Sequence, residues 1–314
     1  MATATTDARV DRTGAAPSAS RWSRVRPHLT GWGFALPWVS VFAVFLLGPI
    51  LASFALSFTD FGLRDLTNPI GTNLIGLGNY TELLRDDKFI AAAGNTAYFV
   101  IAGVPLTLLA GLLAALGLNR AVMRFRAVFR VGYYLPVVTS IVAIAVIWRY
   151  LLHPDLGLVN VMLSAVGIDG PNWLANPALA MPAIIVMAVW RNMGFVMVLF
   201  LAGLQTVPSQ LYEAARIDGA TAWTEFRYVT LPLLRPTTLF AAVITSIGYL
   251  NLFEEPFVMT AGGPLDRTLS VNMYLYQQGF NFFHLGYASA IAYILFVAIA
   301  VLAAVQFRFL RPQD

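Results

Sequence analysis

No cysteine occurs among the 314 residues, which excludes disulfides and thiol chemistry without deciding the compartment. Lysine occurs once, as Lys88 between Asp87 and Phe89. A phosphate-cradling P-loop needs Gly-Lys followed by Ser or Thr, so the chain does not supply its own ATPase site of that kind. The three histidines, His28, His153 and His284, have no spacing suited to a metal site, and His153 near Asp155 is a weak pair read as interfacial. No nucleophile-base constellation is visible, which argues against an intramembrane enzyme. Charge is scarce as well. Only 11% of residues are charged while 58% are hydrophobic, and the mean hydropathy is +0.70, values beyond an ordinary soluble domain. Most of the chain therefore belongs in a lipid bilayer, and no nucleic-acid partner is expected.

Six stretches are apolar and long enough, at about 20 residues, to cross the hydrocarbon. They run Gly31 to Thr59, Phe89 to Leu118, Val131 to Leu152, Ala178 to Leu204, Thr237 to Met259 and Leu285 to Phe307. Pro49, Pro105 and Pro182 fall within them, which neighbouring helices in a bundle tolerate. The expected fold class is an all-α integral membrane protein of six transmembrane helices with a cytoplasmic coupling-helix loop.

Arginine and lysine placement orients the spans. Five lie in the amino-terminal tail, four between Arg120 and Arg130, three in the loop holding Arg216, Arg227 and Arg235, and two in the carboxy-terminal tail. Against these fourteen the other face has four, Arg64, Arg85, Lys88 and Arg267; Arg149 and Arg191 lie within spans. The positive-inside rule then makes both termini cytoplasmic in a multi-pass protein of the cell membrane. Residues 1–30 read as a disordered cytoplasmic tail, residues 31–308 as the membrane domain, and residues 309–314 as a cytoplasmic tail. The arginines and apolar run near the start resemble a secretory signal, but the run is too long and lacks a convincing cleavage site, so it reads as a retained first helix.

The loop at residues 207–236 holds the sequence EAARIDGATAWTEFRYVTLPLLRP from Glu213 to Pro236. Ser209 after Pro208 reads as an N-cap, and Gly219 as the left-handed residue that ends the first short helix. Thr221 reads as the cap of a second helix in which Trp223, Phe226 and Val229 form one stripe and which Pro232 ends. A stiff bent hairpin at the membrane surface is expected.

These residues resemble the signature of permease subunits of binding-protein-dependent ABC importers: Glu-Ala-Ala, three residues, Gly, nine residues, Ile, one residue, Leu-Pro. Here it reads Glu213, Ala214, Ala215, Gly219, Val229, Leu231 and Pro232, with Val for Ile as the one departure. Gly76 to Tyr80, Pro154 to Asn160 and Thr260 to Pro264 resemble the carbohydrate-type permeases, the group of the maltose and glycerol-phosphate systems. The resemblance implies half of a translocation pathway for a sugar-like solute. It implies a second permease, two ABC ATPase subunits that carry ATP and Mg, and an extracytoplasmic solute-binding protein, with no cofactor in this chain. It also implies that Glu213, Ala214, Ala215, Asp218, Gly219, Leu231 and Pro232 dock in the ATPase, whose closure rocks the helices between inward-open and outward-open states.

Polar residues at membrane depth are costly and mark wet or functional places. Trp190, Arg191 and Asn192 lie midway along the fourth span, with Trp190, Asn192 and Asn251 as candidates for the solute pathway; Arg191 lies beside them. Residues adjacent on a helix are about 100° apart, so at most one or two of the first three line a path. Arg149 and the pair Glu254 and Glu255 are candidates for an ion pair. The rival reading is a stand-alone ion-coupled secondary transporter, against which stand the absence of a clear repeat between the first and last three spans and glutamates near the surface rather than the midplane.

Overall fold

The computed structural model describes residues 34–68, 71–119 and 125–310. The expected amino-terminal tail, the carboxy-terminal tail beyond residue 310 and part of the Arg120 to Arg130 loop lie outside them. The chain divides into two compact units, residues 1–52 and 53–314. Described residues are helices, turns and one isolated bridge between Thr59 and Leu74.

In the first unit α1, Phe34–Leu56, is a candidate span that continues into the second. It contains a wide π-turn over Ala43–Leu47, where the Gly48 N–H reaches Ala43 O. Pro49 follows, and having no N–H it cannot continue the ordinary ladder, so the turn widens just before it.

In the second unit α2 (Gly78–Leu83) precedes the long α3 (Asp87–Asn119). The third span departs from expectation. Instead of one helix over Val131 to Leu152, α4 (Arg126–Val138) and α5 (Ile141–Leu151) meet at an angle of 99°. Val137, Val138 and Thr139 form a β-branched run after Pro136, and Thr139 turns extended while its hydroxyl donates to Leu135 O at 2.9 Å. Next come α6 (Leu158–Ser164), α7 (Ala180–Gln205), α8 (Ser209–Ile217), α9 (Ala222–Leu233) and α10 (Arg235–Leu250), the last two bent by 64°.

The fifth span also ends earlier than Met259. After α10 the chain breaks at Asn251, and α11 (Glu254–Met259) is a separate short helix. Pro256 has no N–H for the Leu252 carbonyl, and the Ser270 hydroxyl takes that carbonyl instead at 2.6 Å. A further short helix, α12 (Val271–Tyr276), precedes α13 (Leu285–Leu310). Among the described residues four helices are long and apolar enough to span a membrane, and two bent pairs bring the number to as many as six.

The core is the pairing of α3 with α7, against which α10 and α13 close. Phe99, Ile184, Met187, Met197 and Phe200 are wholly or almost wholly buried there. Gly111 lets the two backbones approach: a Cβ at that position would sit 2.6 Å from Val196 Cγ1. At one end of the bundle, three long connections are tied down by side-chain amides. Asn79 donates to Ser57 O and Thr59 O, each at 2.9 Å. Asn160 donates to Pro154 O at 2.9 Å and accepts from the Trp173 indole at 2.7 Å. Asn95 donates to Asp266 O at 2.7 Å and Leu269 O at 2.9 Å. The α8–α9 hairpin occupies the opposite end.

Candidate functional site

The hairpin is built by local chemistry. Helix α8 begins at Ser209 with Pro208 in the cap position, so Ser209 is the first helical residue and not the expected cap. It stops where Gly219 takes φ +80. The Gly219 N–H reaches Arg216 O at 3.0 Å and the Ala220 N–H reaches Ala215 O at 2.9 Å, the paired closing bonds of a glycine-terminated helix. Thr221 then caps α9 as expected, its hydroxyl accepting from Thr224 N–H at 3.3 Å.

Two links clamp the arms together. Arg216 Nε meets Glu225 Oε1 at 2.8 Å, the one ion pair among the described residues. The hydrogen bond and charge of Glu225 hold the guanidinium above its already high ordinary range. Tyr212 and Thr230 hydroxyls lie 3.0 Å apart. Pro232 does not end the second arm. A π-turn over Phe226–Thr230 brings the Leu231 N–H to Phe226 O just before the proline, and the helix continues to Leu233. Trp223 and Phe226 keep to the expected stripe, their ring centroids 5.6 Å apart, with Trp223 70% exposed and Phe226 and Val229 half-buried.

Glu213, Ala214, Asp218 and Gly219 are exposed on the far side of this clamp, with Ala215, Leu231 and Pro232 half-buried behind them. A cleft of about 810 Å³ separates the hairpin from the ends of α3 and α7, lined by Leu116, Asn119, Leu204, Tyr212, Trp223 and Phe226. The hairpin is thus a clamped element that presents Glu213, Ala214, Ile217, Asp218 and Gly219 on its surface.

Within the bundle the three residues of the fourth span separate. Asn192 folds onto its own helix, donating to Ala188 O at 2.8 Å and accepting from Arg191 Nη1 at 3.2 Å. Trp190 points elsewhere, its ring 5.8 Å from that of Trp148 on α5. Asn251 is not mid-span but caps the end of α10, donating to Ile247 O at 2.7 Å. Sequence reasoning missed Tyr249, which is buried with its hydroxyl 2.7 Å from Thr107 on α3; an isolated tyrosine in an apolar run carries no motif.

The expected ion pair is corrected. Arg149 donates to the backbone carbonyl of Val258 at 3.3 Å, and neither Glu254 nor Glu255 forms an ion pair with it. The break after α10 moves both glutamates onto α11, where Glu255 is buried. Among the described residues no group of three or more His, Asp or Glu is arranged to hold a metal ion.

At the other end, Asp86 accepts from the hydroxyls of Tyr274 and Tyr287, the latter at 2.7 Å, and from the Lys88 and Phe89 N–H groups. Burial opposes its ionisation, but these donors together hold the carboxyl below the usual range. This node joins α3, α12 and α13.

Residues 107–312 match the family described as binding-protein-dependent transport system inner membrane component. The chain is 36% identical over 285 residues to the lactose transport system permease protein LacF of Rhizobium radiobacter, covering 89% of this chain and 93% of that one. It is 35% identical to the arabinooligosaccharides transport system permease protein AraP of Bacillus subtilis, covering 88% of this chain and 86% of that one. A chain in the crystal structure of a bacterial alginate ABC transporter, in complex with an alginate pentasaccharide-bound periplasmic protein, superimposes with a TM-score of 0.78 at 25% identity, over 93% of this chain and 97% of that one. These likenesses set aside the secondary-transporter reading. The chain belongs to the family of binding-protein-dependent transport system inner membrane components, and is a membrane-spanning permease subunit of an ABC importer.

Proposed function

We propose that this permease forms half of the pathway for a sugar or short oligosaccharide. The observation that carries the reading is the clamped hairpin from Ser209 to Leu233, which leaves Glu213, Ala214, Asp218 and Gly219 exposed. It docks on an ATPase subunit, where ATP and Mg are bound, and ATPase closure pulls the hairpin and with it α7 and α10. Two such ATPases, a second permease and an extracytoplasmic solute-binding protein complete the importer, the last meeting the end that carries Asn79, Asn160 and Asn95. Both termini are then cytoplasmic. Relatives named for lactose and arabinooligosaccharides support the sugar class.

Asn192 and Asn251, on helices that pack together, are the solute-recognising pair, since uncharged amides suit hydroxyl-rich solutes. Trp190 is left out of this pair because its ring turns to Trp148. The test is uptake by the reconstituted importer across a panel of sugars. Asn192→Ala and Asn251→Ala are expected to lower uptake on the order of 10-fold, the loss of about one hydrogen bond's energy each, with ATPase assembly intact. Unchanged uptake kinetics for both variants would remove this pair from the pathway.

A further inference from the structure

One turn of α10 is tied to two different helices. Ser246 Oγ accepts from Gln306 Nε2 of α13 at 2.7 Å, and the Tyr249 hydroxyl lies 2.7 Å from Thr107 Oγ1 of α3. Thr107 gives its own proton to Gly103 O at 2.8 Å, so Tyr249 is the donor of the second tie. Tyr249 and Thr107 are both buried. The Tyr249 ring is seated as well as bonded. It packs on Phe99 with centroids 4.8 Å apart, and Gly103 leaves the notch that it fills, since a Cβ there would sit 2.8 Å from Tyr249 Cε2. Bonds from one turn to two neighbours oppose rotation of a helix about its own axis, and hydrogen bonds between membrane helices fix how those helices face each other.

That rotation decides where Asn251 faces. Asn251 follows Tyr249 by two residues, about 200° around a helix. It is exposed, whereas its neighbours Leu250 and Leu252 are buried. Only a narrow range of rotations therefore presents the amide. We infer that Tyr249 is a positioning residue of the permease: through Thr107 and the Gly103 notch it holds the end of α10 so that Asn251, and not its apolar neighbours, is turned to the solute. This rests on the reading above that Asn251 meets the solute. Tyr249→Phe keeps the ring in its notch and removes only the tie, which separates the two contributions.

The test uses the assembled importer with Asn251→Cys as the one cysteine of this chain, labelled with N-ethylmaleimide and read on this chain by mass spectrometry. Tyr249→Phe and Thr107→Val are each expected to slow labelling about threefold to tenfold, the weight of one hydrogen bond between membrane helices. Position 251 then spends time on the faces held by Leu250 and Leu252. Thr107→Ser, which keeps the hydroxyl, should label at the wild-type rate. With Asn251 in place, Tyr249→Phe should raise the KM of uptake across the sugar panel by a similar factor and alter the maximal rate less, because a smaller fraction of the permease presents the amide. Labelling unchanged by both Tyr249→Phe and Thr107→Val overturns the inference. Slowed labelling with an unchanged KM, while Asn251→Ala still impairs uptake, overturns it as well. Normal uptake by Asn251→Ala would instead remove Asn251 from the pathway, and the labelling would still decide whether Tyr249 holds α10.

Discussion

Arg149 and Glu255 show how depth in a sequence misleads about pairing. Both sit near the same end of their apolar runs, yet the break at Asn251 sets Glu255 on the separate helix α11, and Arg149 donates to the Val258 carbonyl instead. Arg149→Gln and Glu255→Gln are therefore expected to be additive in a thermal double-mutant cycle, with coupling below about 0.5 kcal/mol. A coupling of about 2 kcal/mol or more would restore the direct pair. Asp86 carries a second expectation. Its folded pKa is depressed, so its contribution is present above the unfolded value of about 4 and is lost as pH falls through the folded one. Asp86→Asn should lower thermal stability at pH 7 and flatten the stability loss between neutral pH and pH 3. An acid slope identical to wild type would show that the Tyr274 and Tyr287 hydroxyls do not favour the charged form.

At the level of elements, two prolines act by one device. Gly48 reaches Ala43 O before Pro49, and Leu231 reaches Phe226 O before Pro232. Each helix widens by one residue and passes through the proline. A stop signal at Pro232 was legible in the sequence; the widened turn was not, because it depends on a backbone register that no side chain announces. The breaks in the third and fifth spans were hidden for a related reason. Hydropathy averages over a window, and neither the Thr139 hydroxyl nor the distant Ser270 that accommodates Pro256 changes the average. By contrast, the turn at Gly219 and the cap at Thr221 were readable because each rests on one residue's own chemistry. The hairpin predicts a specific failure. Proline at 219 cannot take φ +80 and removes the N–H bonded to Arg216 O. Gly219→Pro should lose ATPase co-purification while expression and membrane insertion persist. Arg216→Gln, which opens the clamp to Glu225, should weaken co-purification less. Normal co-purification of Gly219→Pro would show that the hairpin's shape is not what the ATPase reads.

For the whole molecule, the spans and the loop signature were legible because lipid leaves few ways to satisfy a backbone and because the signature residues have fixed spacing. The solute residues were not, since Trp190 and Asn192 differ in direction by the helix's own rotation and Asn251 lies at a helix end that composition conceals. Orientation remains a charge argument that can be measured directly. Ile217 and Leu156 are 86% and 83% exposed, and the chain has no native cysteine. Ile217→Cys should react with an impermeant maleimide only from the cytoplasmic side and Leu156→Cys only from outside. Reaction of both from outside would invert the fourteen-to-four argument.

The most direct test of the account is whether the exposed face of the hairpin touches the ATPase as the nucleotide state changes. Asp218→Cys in the assembled importer, paired with single cysteines on the ATPase surface, would be crosslinked with and without ATP and Mg. The account predicts efficient crosslinking to the ATPase in both states, with a crosslinked Asp218→Cys pair blocking sugar uptake. Crosslinking to no ATPase position, with uptake still driven by ATP, would contradict it.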